Sequence, residues 1–383
     1  MKISVSGLGK AGLPLAAVIA DSGFEVIGID IDKNKVKMIN EGKNPIPEEP
    51  GLSELIEKHG GRNLKATNNG IEGVKSTEFH IVIVPLFIDE NKKPDFSILR
   101  DAFETVGKGL KKGDVVVLET TVPVGTADGF VKEILEKESK LKAGKDFYLA
   151  YSPERIMTGY SISRYKEFPK VVGGVDKESG EKALGVYSKF CSDVRLVSDS
   201  KTAEMIKISE GVYRDMNIAL ANELFKMCEE YGVDFKEMRE NANHNYCHIH
   251  KAGIGVGGHC IPVYPWFLIN DFEKQEDLIK LTKTGRLLND KMVDYWAEKI
   301  VEEVKKMEKP MNEIKVCVKG ISYRQGVKET AYTRSIPLVK KLEELGLEVY
   351  VWDELYSKEE IEKMGLKYLE PEKCDFVFDV FEL

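Results

Sequence analysis

Six residues near the start of the chain, Gly7-Leu8-Gly9-Lys10-Ala11-Gly12, constrain its fold more than any other stretch. They follow a compact β-rich run at 3–6 and open a helical pattern over 13–20. Between a strand and a helix, this glycine spacing has a physical reading. Gly7 permits the tight turn, Gly9 lets the backbone approach a pyrophosphate, and Gly12 lets helix pack closely on strand. The helix start then offers unpaired N–H groups and a positive dipole end to phosphates. Asp30 closes the next β-rich run, 25–31, eighteen residues past Gly12. A carboxylate there accepts hydrogen bonds from both ribose hydroxyls and repels a 2′-phosphate, so NAD is expected rather than NADP. The alternative is a glycine-rich turn with no ligand.

Further runs at 80–85, 115–120, 147–152 and 170–173 are bounded by Gly, Pro, Asp or Lys. The near-continuous apolarity of Val26-Ile27-Gly28-Ile29 and Ile81-Val82-Ile83-Val84 suits strands buried on both faces, as in a parallel sheet covered by helices. A doubly wound α/β domain is expected over 1–195. The middle, 196–312, reads as helical. Met205, Ile208, Val212, Met216, Ala219, Leu220, Leu224 and Met227 recur at helical spacing, which predicts one long helix from 201 to 231. A second helix is expected over 283–309, with Leu287, Leu288, Met292, Trp296, Ile300, Val304 and Met307 on one stripe. Stripes of this kind serve an intramolecular bundle or a subunit interface. Residues 313–383 return to α/β, with strands at 314–320, 348–353 and 375–380 and a helix at 335–345. The expected architecture is α/β: two Rossmann-like doubly wound domains joined by a helical middle domain with a long central helix.

Composition narrows the function classes. Lys and Arg total 56 against 64 Asp and Glu, a net charge of −8, which argues against a nucleic-acid or anionic-membrane partner. No apolar run approaches the roughly 18–20 residues of a membrane span, and a strand at 3–6 leaves no room for a signal peptide before it. The six cysteines are scattered, so reduced thiols and a cytoplasmic location are expected.

A second glycine-rich stretch, Gly253-Ile254-Gly255-Val256-Gly257-Gly258-His259-Cys260-Ile261-Pro262, puts a cysteine where a substrate approaches closely, beside a histidine. A positive neighbour would favour its thiolate. A buried structural cysteine on a tight turn fits the same residues equally well. His244, His248, His250 and His259 cluster here with Cys247, yet their spacing forms no recognisable ligand pair, and no metal is expected. Cys191, Cys228, Cys317 and Cys374 read as packing residues. His59 reads as lying on an exposed helix end and His80 as opening a strand. Thr120-Thr121-Val122-Pro123-Val124-Gly125 and Ser152-Pro153-Glu154-Arg155 each follow a strand, at the edge where open α/β sheets bind ligands. By position alone, Lys207 reads as a solvated lysine.

Taken in order, these motifs resemble the UDP-glucose/GDP-mannose dehydrogenase family. They run Gly7 to Gly12, TTVPVG at 120–125, SPER at 152–155, AEMIK at 203–207, NEL at 222–224, GVGGHCIP at 255–262 and GISYR at 320–324. GVGGHC followed by Pro265-Trp266-Phe267 is most similar to the branch acting on UDP-N-acetylmannosamine or UDP-N-acetylglucosamine. The resemblance implies a four-electron oxidation of a sugar 6-hydroxymethyl group to a carboxylate with two NAD⁺. Cys260 takes the nucleophile's place, forming a thiohemiacetal and then a thioester. Lys207 matches the oxyanion-stabilising lysine. Glu154 and Thr121 match the groups that handle water or protons. Lys35 matches a lysine near the adenosine ribose, and Pro85 joins the cofactor-binding set. Arg155, Ile156, Gly257, Tyr323 and Arg324 fall where the family contacts the nucleotide sugar. A homodimer built on the long helix is also implied.

Departures from the family pattern accompany the matches. Tyr264 stands where an aspartate is usual, and Gly211 where asparagine is common. His244-Asn245-Tyr246 replaces a stretch with an expected arginine, and Thr330 is followed by Ala331, leaving Arg334 as the candidate substitute. The end at Leu383 implies a shorter C-terminal domain than usual. Two alternatives follow: a catalytically degenerate homologue that binds NAD and nucleotide sugar, or a dehydrogenase for another nucleotide sugar such as UDP-glucose.

Overall fold

The computed structural model describes residues 1–156 and 159–382. The chain forms two compact units, Met1–Ser209 and Glu210–Leu383. The first is built on eight strands: β1 Lys2–Ser6, β2 Glu25–Ile29, β3 Leu64–Thr67, β4 Phe79–Val82, β5 Val115–Leu118, β6 Tyr148–Tyr151, β7 Lys170–Gly174 and β8 Val194–Leu196. Their order across the sheet is β8-β7-β6-β5-β4-β1-β2-β3, all parallel except the β6–β7 pairing. Strand order reverses beside β1, which pairs with β2 on one side and β4 on the other. That reversal opens a crevice at the carboxyl end of β1, and the glycine turn lies there.

Ile81 and Val82 lie at the centre of the sheet as expected, whereas the run 26–29 forms β2, next to the edge strand, where Ile27 and Ile29 are only partly buried. Val115, Val116, Val117 and Leu118 are all buried, as are Phe79, Ile81 and Val82. His80, within that strand, is fully buried: its ring nitrogens lie 2.9 Å from Ser4 Oγ and 3.1 Å from Asp114 Oδ2. His59 is buried too, contrary to the exposed position expected from its place at a helix end. It reaches Asp21 Oδ1 at 2.9 Å, because the helix carrying Asp21 covers it.

In the second unit a parallel sheet of β9 Lys315–Lys319, β10 Glu348–Trp352 and β11 Phe376–Asp379 has the order β10-β9-β11. It repeats the arrangement of β2, β1 and β4. Gly7 N–H donates to Ile29 O at 2.8 Å in the first unit, and Gly320 N–H donates to Trp352 O at 2.7 Å in the second. Val316, Val318, Val349 and Val351 share one core with Ile300 and Val304 of a helix spanning Glu276–Lys305. This helix begins well before the expected 283, with Glu276 and Asp277 in its first turn favouring the positive dipole end.

The long helix runs over Ser200–Tyr231. Its apolar stripe divides. Ile208 and Ala219 face inward, whereas Met205, Leu220 and Met227 are exposed along with Tyr213 and Tyr231. Buried beside Ile208 and Ala219 are Glu204, Lys207, Asp215 and Asn222. The second long helix behaves alike: Arg286 and Asn289 are fully buried, and Leu287 is 41% exposed. Polar side chains with specific partners, rather than the apolar stripe alone, set the inward faces of both helices. Among the described residues no helix is long and apolar enough to cross a membrane.

Candidate active site

The glycine turn carries the geometry of a dinucleotide cradle. Gly7 has φ +94°, and a Cβ on it would lie 2.6 Å from Ile83 O. A Cβ on Gly12 would meet Gly7 O at 1.8 Å, so only glycine lets the helix Gly12–Asp21 start there. A Cβ on Gly9 would meet nothing within 4 Å. That open side of the turn is where a pyrophosphate approaches, and no side chain caps the helix start. Asp30 lies beside it: Oδ2 accepts from Leu8 N–H at 2.8 Å and from Lys35 Nζ at 3.1 Å, and Oδ1 from Asp32 N–H at 2.9 Å. Gly7, Gly9, Gly12, Asp30 and Lys35 thus converge. Pro85 is exposed three residues beyond β4. These residues fit NAD. Gly9 and the helix start would face its phosphates, and Asp30 its ribose hydroxyls.

Farther along the same sheet edge, two loops leave β5 and β6. Thr121 is buried in the first. Glu204, fully buried on the long helix, accepts from Gly125 N–H at 2.5 Å and Ala127 N–H at 2.8 Å, fixing the end of that loop. Burial pushes the Glu204 carboxyl up to about 7, while the two backbone donors oppose that rise. Lys170, at the start of β7, links the two loops: it donates to Glu119 just after β5 and, at 3.2 Å, to Pro153 O after β6. Tyr187 Oη donates to Glu119 at 2.5 Å. Burial raises the Glu119 carboxyl despite the adjacent ammonium. These anchors hold Glu154, whose carboxylate accepts from the Ile156 N–H, and Arg155, whose guanidinium donates to Pro169 O at 2.7 Å.

Lys207 is not solvated. It is 9% exposed, and its ammonium donates to the backbone carbonyl of Glu154 at 2.5 Å. The structure therefore joins Lys207 to Glu154, separated by 53 residues in sequence. Glu204 was absent from the sequence-predicted set. Its signal was its place one turn before Lys207 within Ala203-Glu204-Met205-Ile206-Lys207.

In the second unit Cys260 is half-buried. A Cβ on Gly257 would lie 2.8 Å from Tyr323 Cβ, so the glycine loop rests directly on Tyr323. Gly258 N–H donates to Ala331 O at 2.8 Å, and His259 Nε2 lies 3.6 Å from Glu329 Oε2. Arg324 stands over the Tyr323 ring at 5.9 Å. Gly257 and Gly258 thus rest on Tyr323, with Arg324 over its ring, and Cys260 follows two residues later on the same loop. Arg334 also reaches the glycine loop, 3.3 Å from the Cβ position of Gly255, and donates to Asp290 O at 2.8 Å. Cys191 and Cys317, by contrast, are buried and their thiols are pushed up to about 11 and about 12, which keeps them protonated and inert. Among the described residues no three His, Cys, Asp or Glu side chains group as a metal site needs.

A glycine cradle at the switch point of a largely parallel α/β sheet defines a dinucleotide-binding unit. Comparisons with known proteins give the family. The NAD-binding domain of the UDP-glucose/GDP-mannose dehydrogenase family matches residues 1–191, and the central domain of that family matches 201–291. The UDP-N-acetyl-D-mannosamine dehydrogenase of Methanocaldococcus jannaschii is 37% identical over 92% of this chain and 79% of that relative. The NDP-N-acetyl-D-galactosaminuronic acid dehydrogenase of Ralstonia nicotianae is 33% identical over 89% of this chain and 79% of its own length. The solved structure of UDP-D-ManNAc dehydrogenase from Pyrococcus horikoshii superposes with a TM-score of 0.91 at 31% identity, covering 100% of this chain and 89% of that one. The chain belongs to the UDP-glucose/GDP-mannose dehydrogenase family and is an NAD-dependent nucleotide-sugar dehydrogenase.

Proposed function

We propose that this enzyme oxidises the C6 hydroxymethyl group of a UDP-N-acetylhexosamine, UDP-N-acetylmannosamine or UDP-N-acetylglucosamine, to the uronate. The observation that carries the reading is Lys207, buried with its ammonium on the Glu154 carbonyl. A buried cation fixed on a ligand-edge loop is suited to developing negative charge on a reacting oxygen. The names of the M. jannaschii and P. horikoshii relatives support the sugar. NAD, when bound, takes up hydride. Cys260 Sγ adds to the C6 aldehyde to give a thiohemiacetal, whose oxidation leaves a thioester for water to hydrolyse. Lys207 holds the oxyanion. Thr121 orients water and the Glu154 carboxylate receives its proton. Arg155, Ile156, Gly257, Tyr323 and Arg324 hold the nucleotide sugar.

The functional division is a NAD-binding domain at 1–195, a helical domain at 196–312 carrying the cysteine loop, and a sugar-nucleotide domain at 313–383. The long helix pairs two copies. Tyr213, Leu220 and Met227 recur every seven residues on it and are 62%, 51% and 45% exposed, a stripe suited to a second copy of itself. NADH formation at 340 nm with UDP-N-acetylmannosamine, UDP-N-acetylglucosamine and UDP-glucose tests the reading. Two NADH per sugar with one acetylhexosamine, lost in Cys260→Ser, is the expected result. Turnover with UDP-glucose alone refutes the sugar assignment, and full turnover by Cys260→Ser refutes the thioester route.

A further inference from the structure

The two long helices meet over a chain of buried polar side chains. Asp215 and Asn222 on Ser200–Tyr231, and Arg286 and Asn289 on Glu276–Lys305, are all fully buried. Arg286 donates to Asp215 Oδ1. Asn289 Nδ2 donates to the same oxygen at 2.9 Å and to the Asp215 backbone carbonyl at 2.9 Å. Asn289 Oδ1 accepts from Asn222 Nδ2 at 2.9 Å. Asn222 Oδ1 accepts from the backbone N–H of Gly253 at 2.9 Å. Beginning at an ion pair, the chain ends on the backbone of the loop that carries Cys260.

The direction of these bonds is set at the carboxylate. An ionised Asp215 only accepts, so Asn289 must turn its NH₂ toward it and its oxygen toward Asn222. Asn222 must then present its NH₂ to Asn289 and its oxygen to the loop. Gly253 N–H therefore meets an acceptor whose orientation is dictated by Asp215, two hydrogen-bonded side chains away from it. Other contacts reinforce the seat. Trp296 Nε1 donates to Gly253 O at 3.2 Å, and the Asn289 carbonyl lies 2.5 Å from the Cβ position of Gly255. Two apolar helix faces would pack without the desolvation that four buried polar groups incur. They would also leave the loop's backbone without a directional partner.

We propose that Asp215, Arg286, Asn289 and Asn222 are positioning residues that set the loop 253–260 and through it the reactivity of the Cys260 thiol. This rests on the reading of Cys260 as the nucleophile. The test uses the full chain and measures iodoacetamide alkylation at Cys260 by peptide mass spectrometry, with Cys374 as internal reference, alongside kcat and KM. Asn289→Ala touches neither the thiol nor the Gly253 N–H. It is expected to change the Cys260 alkylation rate at least fivefold and lower kcat at least tenfold, with Cys374 alkylation and the KM for NAD within twofold. A purely structural role would lower Tm and leave Cys260 reactivity in the folded protein unchanged, and that result overturns the proposal. Asp215→Asn removes the acceptor-only carboxylate and the counter-charge of Arg286, and should shift Cys260 alkylation in the same direction as Asn289→Ala; wild-type alkylation there also overturns the proposal. A wild-type measurement needs no variant: the Gly253 amide should be protected from hydrogen exchange, and exchange at the rate of an open loop also overturns the proposal. Alkylation is read without turnover, so failure of the nucleophile reading, through an active Cys260→Ser, is distinguishable.

Discussion

Replacing Gly211 by alanine tests whether two departures from the family pattern are one packing unit. Gly211 lies inside the helix Ser200–Tyr231 and is buried. In a helix interior, Gly→Ala ordinarily stabilises by about 1 kcal/mol, because alanine loses less backbone entropy on folding. Here a Cβ would sit 2.5 Å from Tyr264 Cδ2 and 3.2 Å from Tyr264 Cβ. The obstacle includes the base of the side chain, which cannot swing away as a flexible tip does. Tyr264 is itself 7% exposed and packs on Phe267, with ring centroids 6.0 Å apart. Overpacking of this kind costs about 1–3 kcal/mol. The net expectation is destabilisation by up to about 2 kcal/mol, opposite in sign to the helix effect alone. In a Tyr264→Leu background the ring is gone, and Gly211→Ala should then stabilise by about 0.5–1 kcal/mol. Calorimetric unfolding of wild type, both single variants and the double variant gives the coupling, expected at about 1–3 kcal/mol. Equal effects of Gly211→Ala in both backgrounds, or a stabilised single variant, would refute the reasoning. Gly211 follows Lys207 by one helical turn, and Tyr264 N–H donates to Cys260 O at 3.0 Å, so the same clash should lower kcat.

Three other outcomes follow from the geometry. Gly9→Ala should leave the thermal stability of the free protein within about 0.5 kcal/mol, since its Cβ meets nothing within 4 Å, yet weaken NAD binding at least tenfold by calorimetric titration; undiminished affinity would place the phosphates elsewhere. Asp30→Ser should release Lys35 from its 3.1 Å pair and lower the NAD-over-NADP ratio of kcat/KM at least tenfold, and an unchanged ratio would remove Asp30 from cofactor selection. Burial holds the His80 imidazole below its ordinary pKa, so the unfolded chain takes up a proton that the folded one resists. That contribution is fully present above about 6.5 and is lost as pH falls below it through the lower folded value; His80→Gln should flatten the acid side of a Tm–pH profile, and an unaltered profile would contradict the assignment.

Strands were legible because a strand buried on both faces shows as a continuous apolar run. Their carboxyl ends were read too long: 25–31 stops at Ile29, 80–85 at Val82 and 115–120 at Leu118. There the chain leaves the sheet for the ligand-edge loops while its composition stays β-like. Helix existence was legible as well, but not which residues face inward. Period alone identifies an apolar stripe. It does not register that Asp215 finds Arg286 71 residues away, or that Lys207 finds Glu154 53 residues back. His59 was misread in the same way, its partner Asp21 lying 38 residues earlier. Each of these polar side chains is exposed by composition and buried by a partner distant in sequence. Around the site the consequence is specific. Glu204 and Lys207, one turn apart, bind backbone atoms of the loops after β5 and β6. The start of the long helix is thus the template on which both loops are laid, a relation fixed by three hydrogen bonds and carried by no hydropathy period.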